Sequence, residues 1–372
     1  MDVLALSALA LIAYTYFGYP VMVAALARLS RVTRSSDPGY QPTVSVCIAV
    51  YNGEKYMAGK LDSLLELDYP HDHMQFLIYS DGSSDGTDAI VKRYAERDPR
   101  IVLLRGEQRK GKPAALNALA GAATGEVLLM TDVRPGLSRE TVRALVLPLS
   151  NPEVGCVSGN LVLRGSTGAG AYWRYEKFIR MSEARLGRMV GVTGTIYAIR
   201  RADFPVLPED VILDDVWVPM QVTLARKRIA FAEAAQAYED AFEDDREFGR
   251  KVRTLAGNYQ LFVSTPRLLS PTANPAWFQL LSHKALRLVC PWALAVLFCA
   301  SVAAAFNAPE LTELQRTFWR TMVYAQCLFY GLAVLGSRAG RVAGLARTFV
   351  VLNAAAVLGL WRFARGSQRV TW

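Results

Sequence analysis

The stretch VLLMTDVRP, residues 127–135, ends an apolar run in one acid, Asp132, and sets an arginine, Arg134, two positions later. Buried strands commonly deliver their last residues to a site, and a lone carboxylate there suits a metal ion or a sugar hydroxyl. Further groups able to do chemistry obey the same logic. Asp81 opens the turn-rich DGSSDGT, Lys112 follows Gly111 where a helical stretch starts, and Asp214-Asp215 follows the apolar VIL. A flexible cation beside a helix N-terminus suits a diphosphate, although RKGK also reads as solvated surface. SDGSSDGT alone reads equally as a tight loop with a helix cap, Asp85 being the capping acid, and Asp214 suits a cap as well.

These residues must be positioned by regular elements, and residues 43–265 supply them. TVSVCIAVYN (43–52) is β-branched and apolar and breaks at Asn52-Gly53; EKYMAGKLDSLLEL (54–67) has helical apolar spacing. MQFLIYS (74–80), IVLLRG (101–106) and EVLLMTD (126–132) read as further strands, separated by helices over 87–97 and 113–123. Such β-α-β alternation predicts an α/β fold with a mostly parallel, covered sheet. Ligands of such sheets sit at the strands' C-terminal ends, where the sequence places Tyr51, Asn52, Asp81 and Asp132.

Outside this region the chain is strongly apolar. Residues 3–27 and 288–309 carry no charge, each long enough to cross a bilayer core of roughly 20 residues. Residues 321–337 are near the lower limit, and 342–361 qualify if Arg347 snorkels to the interface. The first segment reads as a retained anchor, because no cation precedes its apolar run and the run is long for a signal core. Arg28, Arg31 and Arg34 follow it, and Lys284 and Arg287 precede the second, so 43–265 is expected on the cytoplasmic side. The expected organisation is an anchor over 1–30, a catalytic domain over 43–265, and an interfacial segment over 266–287. About three transmembrane helices over 288–361 and a basic tail over 362–372 complete it. Four spans would leave the C-terminus outside, whereas Arg362, Arg365 and Arg369 argue for the cytoplasm.

Five cysteines without paired spacing and three isolated histidines suggest neither a disulfide framework nor a zinc site. The net charge of +9 gathers beside apolar segments, and no nucleic-acid module accompanies it, so no nucleic acid is expected as partner.

AVYNGE (49–54), SDGSSDGT (80–87), KGKPAALN (110–117), MTDVRP (130–135), LDD (213–215) and RKVRTLAGN (250–258) stand in the order found in family 2 inverting glycosyltransferases with a GT-A fold, which the chain resembles. YWRYE (172–176) and GVTGTIYAIRR (191–201) look like membrane-anchored bacterial members that build exopolysaccharides. The resemblance implies a nucleotide sugar, most simply a UDP-sugar, with Tyr51, Glu54, Asp81, Lys112, Asp132 and Arg253 as its contacts. Asp81 corresponds to the acid that reads the base, and Gly53 departs from the family's first motif. Asp215 corresponds to the general base, a role a carboxylate fills because the acceptor hydroxyl loses its proton only as the new bond forms.

Asp132 corresponds to the first acid of the family's D-x-D motif, and Arg134 to the second, the principal Mg²⁺ or Mn²⁺ ligand. Three readings remain open. Asp132 alone holds the metal, Arg134 itself meets phosphate in a bidentate pair, or Arg134 faces membrane or solvent. Arg253 stands at the arginine of the Q-x-x-R-W motif, with Arg250 in place of its glutamine and Thr254 in place of its tryptophan, which weakens a processive reading. Trp173 and Tyr175 suit sugar contacts or an interfacial anchor. Arg134, Asp214, Arg250 and Trp173 are thus candidate phosphate or acceptor contacts.

The expected protein is a multi-pass enzyme of the bacterial inner membrane. It would transfer a hexosyl or N-acetylhexosaminyl group from the cytoplasmic face to a polyprenyl-linked or polysaccharide acceptor, as a homo-oligomer or within a synthase complex. A catalytically silent nucleotide-sugar-binding subunit and a processive synthase coupled to export are the alternatives.

Overall fold

The computed structural model describes residues 2–30, 36–164, 169–240, 244–368 and 370. Arg31, Arg34 and Arg369 lie outside them. One eight-stranded sheet organises the domain: β1 (Val44–Val50), β2 (Met74–Asp81), β3 (Ile101–Gly106), β4 (Val127–Thr131), β5 (Gly136–Leu137), β6 (Val154–Arg164), β7 (Ile196–Arg200) and β8 (Arg228–Asp240). Their order is β3-β2-β1-β4-β7-β6-β8-β5. β3, β2, β1 and β4 run parallel; β7 is antiparallel to both β4 and β6, and β6 pairs in parallel with β8. The predicted α/β domain with a mostly parallel sheet is therefore what forms.

Period-two alternation explains how β1 is buried throughout. Val44, Val46, Ile48 and Val50 join Met57, Leu61 and Leu64 of the helix Glu54–Leu65 on one face. Cys47 and Ala49 join Ala115, Leu116 and Leu119 of the helix Lys112–Ala122 on the other. A strand covered on both sides reads as an unbroken apolar run, which is what TVSVCIAV is. The parallel strands end together, delivering Tyr51, Asp81 and Asp132 to one rim.

Among the described residues three helices are long and apolar enough to cross a membrane: Val3–Leu29, Trp277–Phe306 and Arg341–Ala364. The second begins ahead of the uncharged run at 288, taking in much of the segment read as interfacial. The run at 321–337 belongs instead to the helix Glu313–Leu335, which opens with a capping box at Thr312 and Gln315. Its first turns carry Glu313, Arg316 and Arg320, whose ion pairs make this helix less apolar than the other three.

The second and third of these helices pack on the domain through the helix Asp244–Ser264. Tyr259 stacks on Phe363 with ring centroids 6.4 Å apart and donates its hydroxyl to the Leu288 carbonyl at 3.2 Å. A Cβ added at Gly359 would come within 2.9 Å of the Ala256 amide nitrogen, so only glycine permits this approach. Gly359→Leu is therefore expected to cost about 1–3 kcal/mol by overpacking. Gly331→Leu, where an added Cβ meets nothing within 4 Å, should be nearly neutral. Thermal melts of the two detergent-purified variants check the contrast; equal losses would contradict it.

Candidate active site

The rim of the sheet is joined by a half-buried ammonium. Lys112, first residue of its helix, places Nζ 3.1 Å from Asp132 Oδ1 and 3.3 Å from Asp214 Oδ2. Burial opposes its charge, but Asp132, Asp214 and Asp215 more than offset that, so its pKa is raised. Lys112 is thus not the solvated residue that RKGK allowed. Asp214 does not cap the helix Asp214–Leu224, which has no side-chain cap; its carboxylate goes to Lys112.

Asp215, one residue further, is half-buried. Its pKa is raised, first by burial and then by Asp214, against the opposing fields of Lys112, Arg180 and Lys284. The loop Gly191–Gly194 wraps it. Val192 donates its N–H to the Asp215 carbonyl at 2.9 Å, and a Cβ at Gly194 would stand 3.0 Å from Asp215 Oδ2. Thr193 is pinned to β6 through Ser158. The same loop reaches Asp132, whose N–H donates to the Thr195 carbonyl at 3.3 Å. Asp132, Lys112, Asp214 and Gly194 line one narrow crevice together with Thr131 and Tyr197.

The base-side residues are engaged differently. Asp81 is fully buried, and its two carboxylate oxygens accept the N–H groups of Lys110 and Gly111 at 2.8 Å each, fixing the loop that presents Lys112. The Arg109 guanidinium lies 3.8 Å from the centre of the Tyr51 ring, covering one face of it. Glu54 accepts from the Gly86 N–H at 2.9 Å, while Asp85 accepts from the N–H groups of Glu54 and Thr87. These two acids clasp the first loop to the second.

Arg134 faces neither membrane nor solvent alone. Its guanidinium is 3.4 Å from Glu239 Oε1 and lies over the Tyr56 ring at 5.6 Å. Glu239, at the end of β8, is buried, and its pKa is raised by burial against Arg134 and Arg250. Arg250 is exposed on the helix Asp244–Ser264, whereas Arg253 donates to the Ile212 and Val370 carbonyls at 3.4 and 3.2 Å. Trp173 donates its Nε1–H to the Leu161 carbonyl at 2.9 Å, so it packs on β6, with the Arg180 guanidinium 5.5 Å from its ring centre.

Lys60, Glu239 and Gly194 carry weight that sequence reasoning did not assign. Lys60 is buried on the inward face of the helix Glu54–Leu65, and its Nζ donates to Thr131 Oγ1 and the Pro135 carbonyl at 2.9 Å each. It therefore grips both ends of the turn carrying Asp132 and Arg134. The signal was present: Met57, Lys60, Leu61 and Leu64 form one stripe in which lysine is the odd member.

Among the described residues no group of three or more His, Cys, Asp or Glu side chains is arranged to hold a metal. Asp132 is 39% exposed and meets Lys112 through Oδ1, so the carboxylate fits an ion whose other ligands come from a bound diphosphate and water.

The Glycosyl transferase family 2 model matches residues 45–205. The probable glycosyltransferase YdaM of Bacillus subtilis is 28% identical over 232 residues, covering 58% of this chain and 55% of YdaM. The poly-beta-1,6-N-acetyl-D-glucosamine synthase of Staphylococcus epidermidis is 26% identical over 192 residues, covering 49% of this chain and 46% of the synthase. The chain spans about half the length of the curated relatives it matches. Among solved structures, the mannosyltransferase PcManGT from Pyrobaculum calidifontis, in complex with GDP-Man and Mn²⁺, superposes with a TM-score of 0.76 at 25% identity, covering 97% of this chain and 99% of that one.

Burial lowers the Lys60 pKa from 10.5 to about 7, with Asp132 pulling the other way. The unfolded chain then binds more protons at this residue between those values, so stability should rise with pH from about 7 towards 10.5. Lys60→Met removes the contribution. Denaturation midpoints at pH 7 and pH 9 should differ more in the wild type than in the variant; parallel shifts would contradict the assignment.

Proposed function

Residues 45–205 being a glycosyl transferase family 2 domain, we propose that the chain is a membrane-integral inverting glycosyltransferase. It moves a sugar from a nucleotide donor, a UDP-sugar in the simplest reading, to a polyprenyl-linked or polysaccharide acceptor. The observation that carries the reading is the pairing of Lys112 with both Asp132 and Asp214, which brings a diphosphate-side acid to one crevice with Asp214, the immediate neighbour of Asp215.

The acceptor hydroxyl attacks the anomeric carbon in line with the leaving diphosphate, and its proton passes to Asp215 as the new C–O bond forms. The anomeric C–O bond to phosphate breaks, and the departing negative charge meets Lys112. A divalent ion, Mg²⁺ or Mn²⁺, held by Asp132 would supply Lewis-acid compensation for the same charge; the Mn²⁺ in PcManGT supports this. Lys112 must then turn from Asp132 towards phosphate. Arg134, committed to Glu239, acts by holding the turn rather than by replacing the ion. Asp81 and Glu54 keep the base-side loops in place for Tyr51.

With Val3–Leu29, Trp277–Phe306 and Arg341–Ala364 as its spans, a domain on the cytoplasmic side leaves the C-terminus there too. That parity removes the conflict between four spans and a basic tail.

Asp215→Asn should keep nucleoside diphosphate binding and lower turnover by roughly 10²–10⁴-fold. Because the Asp215 pKa is raised and the base acts ionised, the acid limb of the wild-type rate profile should lie above the usual carboxylate range. Transfer assays in lipid with a panel of nucleotide sugars, beside calorimetry with the diphosphate, test both; full activity in the variant removes Asp215 from the mechanism.

Chelation by EDTA should abolish transfer, and Mg²⁺ or Mn²⁺ should restore it in the wild type but not in Asp132→Ala. Arg134→Ala should lose activity in part, since it loosens the turn without removing a phosphate ligand. Undiminished transfer in EDTA, together with near-complete loss in Arg134→Ala, would instead make Arg134 the compensating charge.

A further inference from the structure

The helix Ala169–Arg185 carries Glu176, Arg180 and Glu183 at successive helical spacings, so the three share one face. Both acids enter a buried network there, although Glu183 Oε2 has no hydrogen-bond partner among the described residues. Glu183 Oε1 accepts from the Tyr19 hydroxyl at 2.6 Å and lies 2.8 Å from His283 Nδ1. Glu176 lies 3.1 Å from His283 Nε2 and pairs with Arg287. The network joins the first apolar helix, this helix and the π-helical turn Leu281–Ala285 that leads into the second.

The cations set among these acids are treated otherwise. Arg180 donates only to the Val192 carbonyl and Thr193 Oγ1, at 3.5 and 3.3 Å, and stands over Trp173. Lys284 comes directly after His283 and is half-buried. Among the described residues neither has a carboxylate at ion-pair distance, although both lie close enough to act on Asp215. Val192 links them further, its carbonyl taking Arg180 and its N–H holding the Asp215 backbone. Half-buried cations without a paired anion carry a desolvation cost that a ligand's anion would offset.

We propose that Arg180 and Lys284 form an anion subsite on the membrane side of Asp215, and that the acceptor engaging it is a lipid bearing a phosphate or diphosphate. This rests on Asp215 being the base that receives the acceptor hydroxyl. The geometry suits such a ligand: its apolar tail lies along the helices that start at Trp277 and end at Leu29, its phosphate meets the two cations, and its hydroxyl-bearing end points to Asp215. Arg180 offers a planar fork for phosphate and Lys284 a point charge.

The probes are a polyprenyl monophosphate, the same polyprenol without phosphate, and inorganic phosphate, each titrated against full-length protein in nanodiscs of neutral lipid. Wild type should bind the monophosphate at least about tenfold more tightly than the alcohol, and inorganic phosphate should compete weakly. Arg180→Gln with Lys284→Gln should erase that preference while nucleoside diphosphate binding and the melting temperature hold. The charge-keeping pair Arg180→Lys and Lys284→Arg should restore part of it. Equal binding of phosphate and alcohol by the wild type overturns the proposal, as does a preference that survives in the Gln variant. If inorganic phosphate binds as tightly as the lipid, the lipid assignment fails. If the Gln variant moves only the acid limb of the rate profile, the two cations serve Asp215 and not a ligand. Binding needs no turnover, so absence of transfer with every nucleotide sugar would count against the proposed function alone.

Discussion

An ammonium drawn half out of water has to be neutralised where it stands, and Lys112 is neutralised from two directions. Asp132 arrives on the end of β4, and Asp214 on the first turn of a helix nearly a hundred residues further along the chain. Removing one partner from such an arrangement leaves an uncompensated charge indoors, which is far more costly than any single contact is favourable. The sheet order, the loop braced by Asp81 and the turn gripped by Lys60 all serve to bring those three charges together.

Much of this was legible in the residues. A strand buried on both faces can only be a continuous apolar run, so β1, β2 and β4 announced themselves, and the break after each fixed the rim. The acids at the rim were legible for the same reason: a charge at the end of a buried strand is conspicuous. What they bond to was not. Asp81 turning inward onto the Lys110 and Gly111 amides, or Arg134 meeting Glu239 across the sheet, depends on residues far apart in sequence. Lys60 was easily passed over because a lysine on a helix is ordinarily solvated, although its place in the stripe of Met57, Leu61 and Leu64 marks the buried face. Of the apolar runs nearest the limit for crossing a bilayer, 342–361 lies in the helix Arg341–Ala364, apolar enough despite Arg347, while 321–337 lies in Glu313–Leu335, whose first turns carry charge.

Polar groups inside the apolar part of the molecule share one pattern. His283 has a carboxylate at each ring nitrogen, Glu183 and Glu176, and Tyr19 and Arg287 complete the set, so hydrogen bonds tie three helices where dispersion alone would leave them free to slide. Two π-helical turns, Tyr14–Gly18 and Leu281–Ala285, meet in this region through Tyr14 and Ser282 at 2.9 Å. A π turn adds a residue to the helix repeat and so rotates the rest of the helix about its axis, which is how His283 is brought to face the two glutamates.

The close approach of Gly359 to Ala256, with Tyr259 wedged between Phe363 and Leu288, leaves the catalytic domain little freedom to tilt on its membrane helices. A rigid mounting of this kind acts as a gauge. With the domain held so, whatever reacts in the crevice of Lys112, Asp132 and Asp214 does so at a fixed distance from the helices Trp277–Phe306 and Arg341–Ala364.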